Sequence, residues 1–146
     1  MGQIEEFSFS FVDSIPEDPE EGHLYVSTEF ATAIHRCACG CREEVVTPLS
    51  PASWSLTYDG DSVSLRPSIG NWGFDCRSHY WIRNNRVVWA SEWSEAEIEM
   101  GREADRMTSQ AYFDQRRPEA ATAPESIAPQ GDGPQGLWNR IKAWFR

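Results

Sequence analysis

Apolar and polar residues alternate at the start of the chain, where Phe7, Phe9 and Phe11 are separated by Ser8 and Ser10. A period of two puts the three rings on one face and predicts a half-buried strand, which the prolines of the following acidic segment, Pro16 and Pro19, break. A second strand is predicted over His23 to Thr28, and a third, Ala33 to Arg36, runs straight into Cys37, Cys39 and Cys41. Short apolar runs at Trp54 to Tyr58 and Ser62 to Leu65 flank Asp59, Gly60 and Asp61, a turn sequence tolerant of positive φ, so a hairpin is expected there. A second hairpin joins Tyr80 to Arg83 with Arg86 to Ala90 through Asn84 and Asn85. Between the hairpins, Pro67 to Cys76 is too interrupted by proline and glycine to be regular, yet it carries aromatic residues able to pack. Ser94 and Glu97 have the spacing of a capping box, and a helix is predicted from about Glu95 to Gln115, with acids in its first turns and Arg116 and Arg117 at its end. The fold class is therefore α+β, a small β-rich domain with two or more hairpins followed by one helix.

This domain is expected to occupy residues 1–117. Residues 118–136 are rich in Pro, Gly and Ala without periodicity, the composition of a disordered linker. Residues 137–146 form a short amphipathic segment, with Leu137, Trp138, Ile141, Trp144 and Phe145 on one helical face. Ten residues are too few for a stable isolated helix, so the tail is expected to fold on binding a hydrophobic groove of a partner or, more weakly, the membrane surface.

Charge changes the picture by exclusion. The net charge is -10, with seven acids and no bases in residues 1–22, whereas residues 23–90 balance six acids against six arginines. Nucleic-acid binding needs a basic surface that is missing from this region. No leader-like apolar segment or spanning run is visible, which points to the cytoplasm.

In a reducing compartment clustered cysteines serve as ligands more readily than as disulfides. Structural zinc takes four thiolate or imidazole ligands at about 2.0–2.3 Å, commonly from two separated groups. Cys37, Cys39 and Cys41, with Gly40 free to turn the backbone, form the first group, and Cys76 with His79, spaced C-x-x-H, the second. That makes five candidates for four positions. Cys37, Cys39, Cys76 and His79 make one tetrahedron, with Cys41 spare or replacing one of the first two. His35 alternates in phase with the cysteines but reads as a packing residue. A Rieske cluster needs two histidines on one iron, so zinc is the expected cofactor.

His23 to Ser27, Thr32 to Cys41, Val46 to Pro51, Pro67 to Trp72 and Cys76 to Arg83 together resemble a bacterial domain-of-unknown-function family encoded beside ThiF-type, ubiquitin-activating-like enzymes and multiubiquitin proteins. The similarity spans residues 20–90. It implies an accessory or scaffold component of a bacterial ubiquitin-like conjugation system, some members being connected with phage defence. The implied partners are an activating-like or conjugating-like enzyme and the ubiquitin-like protein. The resemblance transfers metal ligands, onto Cys37, Cys39, Cys41, Cys76 and His79, and no catalytic residue. A zinc-stabilised binding module is the expected function. The alternative is a zinc-dependent peptidase that processes the ubiquitin-like protein, with Glu43, Glu44 or Asp75 as base beside an open metal position. Cys41, if spared by the metal, offers thiol chemistry as a third reading.

Overall fold

The computed structural model describes residues 2–118, so the expectations for the linker beyond residue 118 and for the 137–146 tail lie outside the described residues. Eight strands form two four-stranded sheets, followed by one helix. The first sheet has the order β1 (Ser8–Phe11), β2 (His23–Ser27), β3 (Thr32–Arg36), β4 (Glu44–Pro48). The second has the order β5 (Ser55–Tyr58), β6 (Val63–Gly70), β7 (His79–Arg83), β8 (Arg86–Trp89). All neighbours are antiparallel except β1 and β2, which run parallel with Ser8 opposite His23. The α+β class expected from the sequence is the one observed.

The alternation at the N-terminus holds in part: Phe7 is fully buried and Phe9 half-buried, but Phe11 is exposed and Ser10 is as covered as Phe9. Leu24 and Val26 of β2, Ala33 of β3 and Val45 of β4 meet Val63, Leu65, Ile69, Tyr80 and Ile82 of the second sheet in one core. The N-terminal segment ties the two sheets together, since Phe7 N–H donates to the Asn85 carbonyl and Val87 N–H to that of Glu5. His35 sits inside this core against the edge of Phe7, its Nε2 2.8 Å from the Tyr80 hydroxyl, and burial pushes its pKa down to about 3.

Both predicted hairpins form. Asn84 and Asn85 have φ of 47° and 67°, the pair of left-handed residues that a two-residue turn needs to match the twist of its strands. The Asn85 side chain accepts from Val63 N–H, which links this turn to β6. Two features differ from expectation. β4 was not anticipated, although its burial alternates strictly. β6 also does not stop at Leu65 but continues through Pro67 to Gly70. Leu65 pairs with Ile82 and Ile69 with Tyr80, so Arg66, Pro67 and Ser68 all face Trp81 alone. That bulge lets a proline sit inside the strand, because the residues opposite no partner have no ladder bond to lose.

Helix α1 (Glu95–Arg116) begins at the predicted cap. Glu97 N–H donates to Ser94 Oγ, and the Glu97 carboxylate accepts from Ser94 N–H at 2.7 Å, which holds that carboxyl below its usual range. Only Ile98 of α1 is buried. None of the described helices is long and apolar enough to cross a membrane.

Candidate active site

The bulge in β6 and the start of β7 place two side chains together that the sequence had not paired. Ser68 Oγ lies 2.8 Å from His79 Nε2, and His79 Nδ1 lies 3.1 Å from the Ser91 carbonyl oxygen. A carbonyl can only accept, so Nδ1 carries a proton, and the neutral tautomer that this selects directs its Nε2 lone pair at Ser68. The serine hydroxyl consequently donates to Nε2. Nucleophile, base and a third group orienting the base is the arrangement of an activated serine.

Aromatic rings hold the imidazole. Trp72 and Trp93 each approach it edge-on at 4.9 Å and stack on each other at 5.6 Å. Ser68 and His79 open into a cleft of about 340 Å³ walled by Trp54, Trp72 and Trp93. Its remaining wall comes from α1, through Ile98, Gly101 and Arg102. Two glycines make the fit: a Cβ on Gly70 would stand 2.5 Å from Trp72 Nε1, and one on Gly101 2.8 Å from Trp93 Cζ3.

The four cysteines gather on the other side of the 71–78 loop. Their sulfur atoms all lie within 4.8 Å of one another, with Cys37 3.5 Å from Cys39 and 3.9 Å from Cys76, and Cys41 3.7 Å from Cys76. A tetrahedron of thiolates at about 2.3 Å from a metal has edges of about 3.8 Å, so the set fits such an ion. Gly40, at φ 90°, turns the backbone between Cys39 and Cys41. Burial pushes the Cys39 and Cys41 thiols up. Burial acts the same way on Cys76, but hydrogen bonds from the Ser78 hydroxyl and backbone and from the Cys39 and Cys41 thiols outweigh it and pull Cys76 down to about 7.

The structure does not bring His79 to this cluster. Its ring nitrogens are both engaged at Ser68 and Ser91, because His79 lies at the head of β7 and faces outward from the sheet beside Gly70, whereas Cys76 is still in the loop. Among the described residues the group able to hold a metal is Cys37, Cys39, Cys41 and Cys76. Glu43 and Asp75 do line a hollow with Cys41 and Cys76, as the metal-hydrolase alternative requires, and Glu44 does not. Ser78 joins the two centres: its hydroxyl lies 3.0 Å from Cys37 Sγ and accepts from Asn71 Nδ2, while its carbonyl accepts from Asn71 N–H. The cysteine cluster thus clamps the loop whose two ends deliver Ser68 and His79.

A second serine-histidine contact exists on the β1–β2 edge, where Ser8 Oγ lies 2.7 Å from His23 Nδ1 and Ser10 Oγ 2.8 Å from its Nε2. The hollow beside it is lined by Ser8 but by neither Ser10 nor His23.

Sequence reasoning missed Ser68 because it matches no nucleophile-elbow pattern of the G-x-S-x-G kind. The available signal was a proline-serine step within a run otherwise suited to a strand, which marks a bulge.

No curated protein and no solved structure matches the chain. Residues 11–90 match the model of a family described as bacterial ubiquitination-like system serine protease (BubE), in agreement with the resemblance to a ubiquitin-like conjugation component. That span contains Ser68, His79 and all four cysteines but neither Ser8 nor Ser10. With more than half of its length inside the match and a serine and histidine in hydrogen-bond contact within it, the chain belongs to this bacterial ubiquitination-like system serine protease family.

Proposed function

We propose that the chain is a serine peptidase acting on the ubiquitin-like protein of a bacterial conjugation system, with Ser68 as nucleophile and His79 as general base. The observation that carries this reading is the Ser68–His79–Ser91 hydrogen-bond relay inside an aromatic cleft. The family description supports it. It keeps the substrate class of the peptidase alternative and moves the chemistry from a metal-bound water to a serine. The recruiting role expected from the sequence gives way to a catalytic one.

Ser68 Oγ attacks the scissile carbonyl carbon as its proton passes to His79 Nε2. The imidazolium, still donating through Nδ1 to Ser91, returns that proton to the leaving nitrogen as the C–N bond breaks. Water then attacks the resulting ester by the same route, restoring Ser68 and releasing the carboxylate. Trp72 and Trp93 keep the ring from turning away and exclude bulk water from the relay.

The four cysteines are proposed to hold zinc, which when bound supplies a structural cross-link between the end of β3 and the 71–78 loop. Four protein sulfurs leave no open position for substrate or water, as in structural sites generally. This reading assigns Cys37, Cys39, Cys41 and Cys76 as ligands and His79 to catalysis.

Labelling the full chain with a fluorophosphonate, followed by peptide mapping, tests the assignment. Label is expected on Ser68, abolished in Ser68→Ala and reduced at least 10³-fold in His79→Ala, in line with loss of a general base. In parallel, wild type but not Ser68→Ala should cleave a C-terminally extended ubiquitin-like protein from the same system. Label on Ser8 or Ser10, or undiminished label in Ser68→Ala, refutes it.

A further inference from the structure

The outer face of the second sheet carries a feature that catalysis by Ser68 and His79 does not use. Ser55 pairs with Arg66 across β5 and β6, and the register of β6 with β7 sets Arg66 beside Trp81, with Arg83 two residues farther along. The Arg83 guanidinium lies 4.8 Å from the centre of the Trp81 ring. Together with Ser50 and Ser53 these residues line an open depression of about 530 Å³. Pro67 lines both this depression and the catalytic cleft, so the two adjoin at the residue preceding Ser68.

The depression contains two arginines and no acid. The chain carries 23 acidic against 13 basic residues, and Arg36, Arg42, Arg77, Arg102 and Arg106 each meet a carboxylate, whereas Arg86 of β8, among the described residues, does not. Among the described residues Arg66 and Arg83 form no ion pair, although both are exposed and an acid nearby would be easy to supply. Stacking on Trp81 restrains the Arg83 fork while leaving its N–H edge open, the state in which a guanidinium binds a carboxylate with least ordering cost.

We propose that this depression receives an acidic side chain of the substrate polypeptide, close to the bond cut at Ser68. The inference rests on the peptidase reading above. Arg66 is two positions from Ser68, no more than about 7 Å of chain, which limits the acidic residue to about three positions from the scissile bond. Arg66 and Arg83 supply charge-assisted hydrogen bonds to the carboxylate, and the serine hydroxyls complete its set of donors. The neutral, aromatic cleft on the other side of Pro67 takes the uncharged part of the same segment.

The test is protection of Ser68 from fluorophosphonate by two peptides, one glycine-rich with two glutamates and its glutamine counterpart. The glutamate peptide is expected to protect at roughly tenfold lower concentration, the scale of one charge-assisted hydrogen bond. That ratio should fall to near one in 0.5 M salt and in the Arg66→Gln, Arg83→Gln double variant, and be partly restored with lysine at both positions. Equal protection by the two peptides, or a glutamate preference that survives in the double variant, overturns the acidic-substrate inference while leaving the nucleophile assigned. Absence of any label on Ser68 overturns the catalytic reading and this inference with it, and is distinguishable from both.

Discussion

Gly70→Ala tests the coupling between the strand and the aromatic clamp without touching a reacting group. Gly70 lies outside the left-handed region, so alanine is compatible with the backbone there and only space is at issue. The added Cβ would stand 2.5, 2.6 and 2.9 Å from Nε1, Cε2 and Cζ2 of Trp72. Ordinary contact is about 3.5 Å or more, so the indole must retreat by about 1 Å. Retreat is opposed by the Trp93 ring stacked against it and by the edge of His79. Overpacking of this kind costs about 1–3 kcal/mol, which in a domain near 115 residues corresponds to a fall in melting temperature of about 4–15 °C. A displacement of about 1 Å beside the base costs about 10²-fold in turnover. The assay is a double-mutant cycle with Trp72→Ala, read by thermal melting and by Ser68 labelling. In the Trp72→Ala background the clash is gone, so Gly70→Ala should be neutral or stabilise by about 0.4–1 kcal/mol through lower unfolded-state entropy. Equal destabilisation in both backgrounds would refute the steric argument.

Three further outcomes are expected. Cys76→Ser should lower bound metal and melting temperature, whereas His79→Ala should leave about one metal ion per chain by elemental analysis; loss of metal in His79→Ala would return that residue to the ligand set. Gly101→Ala, by driving a Cβ to within 2.8 Å of Trp93, should lower Ser68 labelling while metal content holds. The Glu97 carboxyl is held below 4.5 by the Ser94 N–H and hydroxyl, so its contribution to the helix start is complete above that pH and disappears as pH falls through the lowered value. Glu97→Gln should therefore remove part of the acid-dependent loss of helical circular dichroism, and an unchanged titration would speak against the cap.

Hairpin turns, the capping box and the alternating phenylalanines were legible because each is a local pattern with a local cause. Asn84 and Asn85 turn the chain through their own tolerance of positive φ, and Ser94 and Glu97 satisfy each other within one turn. What could not be read depends on register between strands distant in sequence. β4 is short and ends in Pro48, and only its pairing with β3 reveals its alternation. Ser68 looks like any loop serine until the shift between Leu65 and Ile69 aims it at β7. His79 is the instructive case. Its C-x-x-H spacing from Cys76 was real, and the two residues do share a loop end, but a strand begins between them and points their side chains to different centres. That the cysteines would gather was legible from their spacing; that His79 turns away from them was a question of strand direction.

The proposed reacting pair and the far wall of the cleft come from different stretches of chain. Ser68, His79, Trp72 and the four cysteines all lie within residues 11–90, the span that matches the family, whereas Ser91, Trp93 and the Ile98–Gly101 wall follow it. The helix touches the rest through a buried Ile98, a glycine against Trp93, the Ser109 hydroxyl donating to the Ala52 carbonyl, and an exposed Arg77–Glu95 ion pair worth little by itself. Changes on the exposed face of this helix that spare Ile98, Gly101 and Ser109 leave the Ser68–His79 pair and the cysteine cluster untouched. On the peptidase reading, the helix-borne lining of the cleft can be rewritten separately from Ser68 and His79 as long as Ser91 and Trp93, which hold the imidazole, are kept.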